Sequence, residues 1–236
     1  MLNEWSAANC RVCLAAIDPY SGRVFTARIF HTNKGAAGEV AVIRGAGQVR
    51  IGRSFGDVTF PKDKLMSPAH AVFVSDSSGF RIVEAGGLNG VFLRVESHPL
   101  RIGDTIMCAS EVLRLAGLMR ERPDAVEADG TGLLGSPSPE AGSLVLQQVI
   151  LGGRPGRTWI IKPPVTIGRE ECDVCFPDVA FVSGRHAVIE ENADGLAIKD
   201  LGSANGTFVR IRGQAPLSDG DLVLIGQQML QVSVQA

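Results

Sequence analysis

The chain repeats itself. Residues 165–210 align without a gap on residues 49–94, at an offset of 116 positions (Arg53 to Arg169). Gly52-Arg53 matches Gly168-Arg169, Ser67-Pro68-Ala69-His70 matches Ser183-Gly184-Arg185-His186, and Asn89-Gly90 matches Asn205-Gly206. Apolar matches such as Val58 with Val174, Phe60 with Phe176 and Ile82 with Ile198 are what a shared core requires. Arg, Ser, His and Asn are not core residues by preference. Their repetition points to a duplicated site carried on a duplicated fold.

Two copies of about 100 residues each are long enough to bury a core without metal or disulfide staples. The expected boundaries are 11–118 for the first domain, 119–143 for a linker and 144–236 for the second domain. The linker is rich in Pro, Gly, Ser and Glu, has little to bury, and reads as flexible. A net charge of −2 with interspersed signs gives neither a nucleic-acid footprint nor a polybasic membrane face. No apolar run reaches transmembrane length, and the first residues, with Asn3, Glu4 and Asn9, do not resemble a signal peptide. The expectation is a soluble, cytoplasmic protein.

Almost every periodic segment alternates with period two, as half-buried strands do. Val24 to Phe30, His70 to Val74, Phe80 to Glu84, Leu144 to Leu151, His186 to Glu191 and Met229 to Gln235 all follow the pattern. Turn-forming clusters such as Asn192-Ala193-Asp194-Gly195 cut them at short intervals. Only Ser110 to Arg122 could be argued as helical. Many short strands with regular turns mean an all-β chain of sandwiches or barrels.

Two cysteine pairs, Cys10/Cys13 and Cys172/Cys175, have metal-ligand spacing. The segment Cys-Asp-Val-Cys-Phe-Pro corresponds, however, to Gly-Asp-Val-Thr-Phe-Pro in the first copy. The pair is drift on a shared scaffold, so reduced cysteines and no metal are expected.

In the second copy, Val165-Thr166-Ile167 reads as a strand that ends in Gly168-Arg169, and Val182 to His186 as a loop entering the next strand. Asp200 to Thr207 reads as a tight turn, because Asn-Gly readily supplies positive φ angles. Three connections thus carry Arg169, Ser183 with Arg185, and Asn205. Brought to one end of a sandwich they make a donor-rich pocket without a carboxylate in the motif positions. Guanidinium forks, a hydroxyl and an amide suit a tetrahedral dianion beside a peptide backbone.

Gly168-Arg169, Ser183-x-x-His186 and Asp200-x-x-Ser203-x-Asn205-Gly206-Thr207 resemble the forkhead-associated (FHA) domain pattern, with Leu217-Ser218-Asp219-Gly220-Asp221 and Ile225-Gly226 fitting downstream. The resemblance implies an eleven-stranded sandwich whose apical loops bind phosphothreonine. It assigns the phosphate to Arg169 and Ser183, the peptide backbone to Asn205, and loop bracing to His186, with Gly168 and Gly206 as structural support. Arg185 could add a second cation, and Thr207 is a further candidate contact. Gly184 and Ala204 stand where the family often has polar or basic side chains.

The first copy is a more degenerate relative. It keeps Arg53, Ser67 and Asn89 as a second candidate site, supported by Gly52, His70 and Gly90. Pro68 and Ala69 remove donors between Ser67 and His70, Glu84-Ala85-Gly86-Gly87 replaces the Asp-x-x-Ser approach, and Val91 replaces Thr207. Phosphate binding by this copy and a mere docking role stay open alternatives.

The chain is therefore expected to be a non-catalytic adaptor that needs no cofactor and binds phosphothreonine-containing proteins, such as a Ser/Thr protein kinase or its substrates. The alternative is a structural scaffold or dimerisation module with vestigial phosphate sites. No nucleophile–base pair, P-loop or paired acids stand out, so an enzyme is not expected. Thr131, the lone threonine of the linker, reads first as unmodified; phosphorylated, it would be a ligand in cis.

Overall fold

The computed structural model describes residues 26–32, 38–120, 127–132, 134–137 and 139–235. Cys10 and Cys13 lie outside them. The strands that precede the linker are β1 (Thr26–His31), β2 (Gly38–Arg44), β3 (Gly47–Gly52), β4 (Val58–Thr59), β5 (Ala71–Asp76), β6 (Gly79–Glu84), β7 (Val91–Val95), β8 (Ser97–Pro99), β9 (Thr105–Cys108) and β10 (Glu111–Leu118). Those that follow it are β11 (Leu144–Ile150), β12 (Arg154–Ile161), β13 (Val165–Gly168), β14 (Val174–Cys175), β15 (Arg185–Asn192), β16 (Gly195–Asp200), β17 (Thr207–Arg210), β18 (Gln214–Pro216), β19 (Leu222–Ile225) and β20 (Gln228–Gln235). The described residues form no helix. The stretch from Ser110, where a helix could be argued, is strand β10: its buried residues Leu113 and Leu115 are two apart, the strand period. Among the described residues no helix is long and apolar enough to cross a membrane.

The strands make two compact sandwiches that cut across the sequence repeats. One unit comprises residues up to Arg94 together with Arg210 onward; the other is Val95–Val209. In the first unit a sheet in the order β7-β19-β20-β1-β2 is matched with one in the order β18-β6-β5-β3-β4. Its core takes Ile29, Ile51, Phe73 and Ile82 from the first repeat, and Val223, Ile225 and Leu230 from the second. Strand β19 pairs with β7, Val223 opposite Leu93, and β18 pairs with β6, Ala215 opposite Ile82.

The second unit is the counterpart. Its sheets run β12-β11-β10-β9-β17 and β14-β13-β15-β16-β8. Leu146, Ile167, Ile189 and Ile198 of the second repeat are buried with Leu100, Ile106, Leu113 and Leu115 of the first. Strand β10 pairs with β11, Leu115 opposite Leu146, and β8 with β16, His98 opposite Ile198. Each sandwich therefore takes its last three strands from the other repeat.

The two sets of exchanged strands repeat the same local chemistry. Leu100 and Leu217 are both buried. Asp104 accepts from the Arg101 amide at 2.7 Å, as Asp221 does from that of Ser218 at 2.7 Å. The Asp104 carbonyl accepts from Leu115 N–H and the Asp221 carbonyl from Val232 N–H, each at 2.9 Å. Burying one Leu, Ile or Phe side chain contributes about 1.5–3 kcal/mol, so the two sets bring their sandwiches comparable burial.

Segment 119–143 joins β10 to β11, two paired strands of one sheet. Its base is closed by Met119 N–H donating to the Ser143 carbonyl at 2.8 Å and Gly142 N–H to that of Met119 at 2.9 Å. Glu140 pairs with Lys162 beside it. Thr131 N–H donates to the Asp129 carboxylate at 2.9 Å.

Candidate phosphopeptide site

In the second unit the site begins at Gly168, where β13 ends. A Cβ there would lie 2.1 Å from the Gly184 carbonyl oxygen, so no larger residue fits. The close approach lets Arg169 N–H donate to the Ser183 and Gly184 carbonyls, both at 3.0 Å, and Glu170 N–H to Gly184 at 3.1 Å. The loop that carries Arg169 is thereby laced to the loop that carries Ser183. Gly52 repeats the device in the first unit: its Cβ would lie 2.0 Å from the Pro68 carbonyl, and Arg53 N–H donates to Ser67 at 2.9 Å.

The histidines brace the loops from beneath. His186 is fully buried; its Nδ1 accepts from Ser183 N–H at 3.3 Å and its Nε2–H donates to the Gly206 carbonyl at 3.1 Å. A carbonyl can only accept, so the ring carries its proton on Nε2. Burial pushes the His186 pKa down, against the raising effects of the Gly206 carbonyl and Asp200. His70 makes the same two bonds, from Ser67 N–H and to the Gly90 carbonyl, each at 2.9 Å.

Ser183 Oγ accepts from Ala204 N–H at 3.1 Å, and Asn205 Nδ2 donates to the Phe181 carbonyl at 2.7 Å. The first unit matches both: Ser67 Oγ accepts from Leu88 N–H at 3.0 Å, and Asn89 Nδ2 donates to Leu65 at 2.7 Å. These bonds commit each serine as an acceptor and leave its own O–H to donate outward. Both asparagines are exposed, and both keep a second amide hydrogen and the carbonyl oxygen for a ligand. Thus Arg169, Ser183 and Asn205 lie on laced loops of one unit, and Arg53, Ser67 and Asn89 on those of the other. Arg185 opens β15 opposite Gly168, exposed beside Arg169.

Thr207 lies beneath this surface. It is fully buried, and its hydroxyl donates to Asp200 at 2.6 Å, so it has no group to offer a ligand. Asp200 is an organiser that the motif spacing already marked. Its carboxylate accepts from Gly202 N–H at 2.9 Å, Ser203 N–H at 2.8 Å and Ser203 Oγ at 2.6 Å, besides Thr207. Burial alone would raise its pKa, but the Ser203 and Thr207 donors outweigh it and hold the carboxyl below its usual range. In the first unit Glu84 takes this place. It accepts from Val91 N–H at 3.0 Å and from Gly213 N–H at 3.3 Å, and pairs with Arg210 at 3.5 Å.

A second organising pair is visible in the repeat but carries no signal of its role. Asp57 accepts from Arg50 N–H at 2.9 Å and forks with its guanidinium; Asp173 accepts from Thr166 N–H and Oγ1, both at 2.7 Å. The Arg50 fork and the Thr166 amide, respectively, hold these carboxyls below the usual range. Each closes the base of the loop that bears the site arginine.

Cys172 and Cys175, expected as reduced thiols, form a disulfide in this loop, with Cα atoms 5.3 Å apart. The matched positions Gly56 and Thr59 show that the fold does not need it. A cavity of about 390 Å³ in the first unit, lined by Thr59 to Asp63 with Gln227 and Gln228, includes none of the site residues. Its acid, Asp63, is spent on the amides of Leu65, Met66 and Gln227 and the side chain of Gln228.

Two β-sandwiches, each with arginine, serine and asparagine on loops laced over a buried histidine, have the build of the FHA class. The FHA domain family model matches residues 49–108 and 165–226, over half of the chain, and the chain belongs to that family. It is 35% identical over 113 residues to the oxoglutarate dehydrogenase inhibitor of Corynebacterium diphtheriae, covering 46% of this chain and 75% of that protein. It is 30% identical over 115 residues to the inhibitor of the same name from Corynebacterium jeikeium, covering 48% and 78%. A solved structure described as "Structural and functional analysis of phosphothreonine-dependent FHA domain interactions" is 30% identical, with a TM-score of 0.22, over 34% of this chain and 88% of that one.

Proposed function

We propose that this chain is a non-catalytic adaptor that recruits phosphothreonine-containing proteins downstream of a Ser/Thr protein kinase. Arg169 and Ser183 take the phosphate in the second unit, and Asn205 takes the backbone of the peptide. Arg53, Ser67 and Asn89 do the same in the first. One observation carries the reading: the serine, asparagine and histidine bonds recur in both units to within about 0.4 Å, while the residues around them have diverged. Loops with no shared ligand would not need the same donors presented twice.

A phosphate monoester carries close to two negative charges at neutral pH and accepts on three oxygens. Arg169 has to turn from its exposed partner Glu170, now at 2.9 Å, and such exposed pairs cost little to break. Fluorescence anisotropy with a labelled phosphothreonine peptide tests the reading. The chain should bind it and not its unphosphorylated twin, and the double variant Arg53→Ala, Arg169→Ala should lose the binding while melting as the parent does. Equal affinity of parent and double variant would refute it.

A further inference from the structure

The two sites share their centres but not their rims. Phe55, Leu65 and Leu88 stand on the three loops of the first site and are 72%, 41% and 84% exposed. Hydrogen bonds gather their backbones around the site. Phe55 N–H donates to the Pro68 carbonyl at 2.8 Å, Leu88 N–H to Ser67 Oγ at 3.0 Å, and the Leu65 carbonyl accepts from Asn89 at 2.7 Å. Large apolar side chains left in water on loops gathered at one site are of the kind that marks an interaction surface. Lys62 and Lys64, both exposed, flank it.

The second site has different residues at the same places. Glu171 replaces Phe55, Ala204 replaces Leu88, Asp178 replaces Lys62 and Glu170 replaces Ser54; only Phe181, 70% exposed, keeps the apolar character of Leu65. Glu171 is held at φ 50°, in the left-handed region that side chains other than glycine seldom occupy. It directly precedes the disulfide at Cys172. Three exposed carboxylates therefore rim a site whose centre is cationic.

We propose that the two sites select different partners: the first a phosphothreonine flanked by aliphatic or aromatic residues, the second one flanked by lysine or arginine. This rests on the phosphothreonine reading above. In the first site the phosphate meets Arg53, which has no ion-pair partner among the described residues, while Phe55, Leu65 and Leu88 cover apolar side chains beside it. The nearby lysines repel a basic flank. In the second site Glu170, Glu171 and Asp178 attract a basic flank and repel an acidic one, as complementary charge sets partner choice more than raw affinity. One chain then joins two phosphorylated proteins of unlike sequence.

The test uses the full chain with one site disabled at a time, and three peptides. One phosphothreonine peptide has leucine and phenylalanine flanks, a second has lysine flanks, and the third is the unphosphorylated apolar peptide. With Arg169→Ala, the apolar phosphopeptide should bind about tenfold more tightly than the lysine one, the worth of one well-covered side chain. Adding Phe55→Ala and Leu88→Ala should shrink the preference and leave weaker, phosphate-dependent binding. With Arg53→Ala the order should reverse, by about fivefold at low salt, shrinking as salt is added. Glu170→Gln with Glu171→Gln should shrink that reversal. Phosphate-dependent binding with the same preference at both sites overturns this inference alone. No phosphate-dependent binding at either site overturns it together with the phosphothreonine reading.

Discussion

Val223 lies directly opposite Leu93 in one sheet, so a strand near the end of the second repeat is hydrogen-bonded to a strand of the first. The reciprocal contact is Leu115 opposite Leu146. The chain thus completes each sandwich with strands from the other repeat: one unit is built from both ends of the chain, and the other, Val95–Val209, has 119–143 inside it.

Cutting the chain within 119–143 should therefore not release two domains. Each fragment supplies strands to both sandwiches, and the buried side chains of β8–β10 and β18–β20 are worth about 1.5–3 kcal/mol apiece. A chain with a protease site inserted after Gly135 should elute after cleavage as one intact-sized species on size exclusion, and split only in denaturant. Separate elution of the two fragments in native buffer would show that each repeat completes itself.

Stability should fall on acidification in two separate windows. Burial holds the pKa of His186 below its ordinary 6.5, so the unfolded chain binds a proton there more readily than the folded one. That contribution is complete above about pH 6.5 and is lost as pH falls below it. Asp200, held below the ordinary 3.8, adds a second loss only under about pH 4. Thermal melts from pH 8 to 3 check this, and His186→Gln should flatten the first window.

Asp200→Ala should destabilise the second unit by roughly 2–4 kcal/mol. Four donors lose their acceptor at once, two of them on side chains in the interior. Urea unfolding would read the loss. Asp200→Asn should cost less, because the amide oxygen still serves some of these donors.

Much of this was legible in the sequence. Alternation marked the strands, and the repeated Gly-Arg, Ser-x-x-His and Asn-Gly marked loops that lie together in each unit. The exchange was not legible, since Leu100 with Asp104 and Leu217 with Asp221 make the same burial and the same hydrogen bonds. Pairing partners with equal local chemistry cannot be told apart along a chain. The depth of Thr207 was not legible, because a motif position says nothing of burial: its hydroxyl turns inward to Asp200. The segment from Ser110 was ambiguous because short apolar runs fit both periods.

Cys108 should resist alkylation in the native protein. Burial, and then the nearby Asp200 carboxylate, push its thiol up to about 12, against a lowering bond with Thr207. At pH 8 the thiolate is then roughly one part in ten thousand, and the thiolate is the nucleophile. Iodoacetamide labelling mapped by mass spectrometry should leave Cys108 unmodified until denaturant is added. Fast native labelling at this position would contradict the buried packing of β9.

The most direct test of paired phosphothreonine sites is calorimetric stoichiometry on the full chain. A phosphothreonine peptide carrying leucine on one side and lysine on the other should titrate two sites in the parent, one in Arg53→Ala, one in Arg169→Ala and none in the double variant. Each lost site should correspond to roughly 2–4 kcal/mol of binding energy. Heat that is unchanged by both substitutions, or equal heat from the unphosphorylated peptide, would contradict the account.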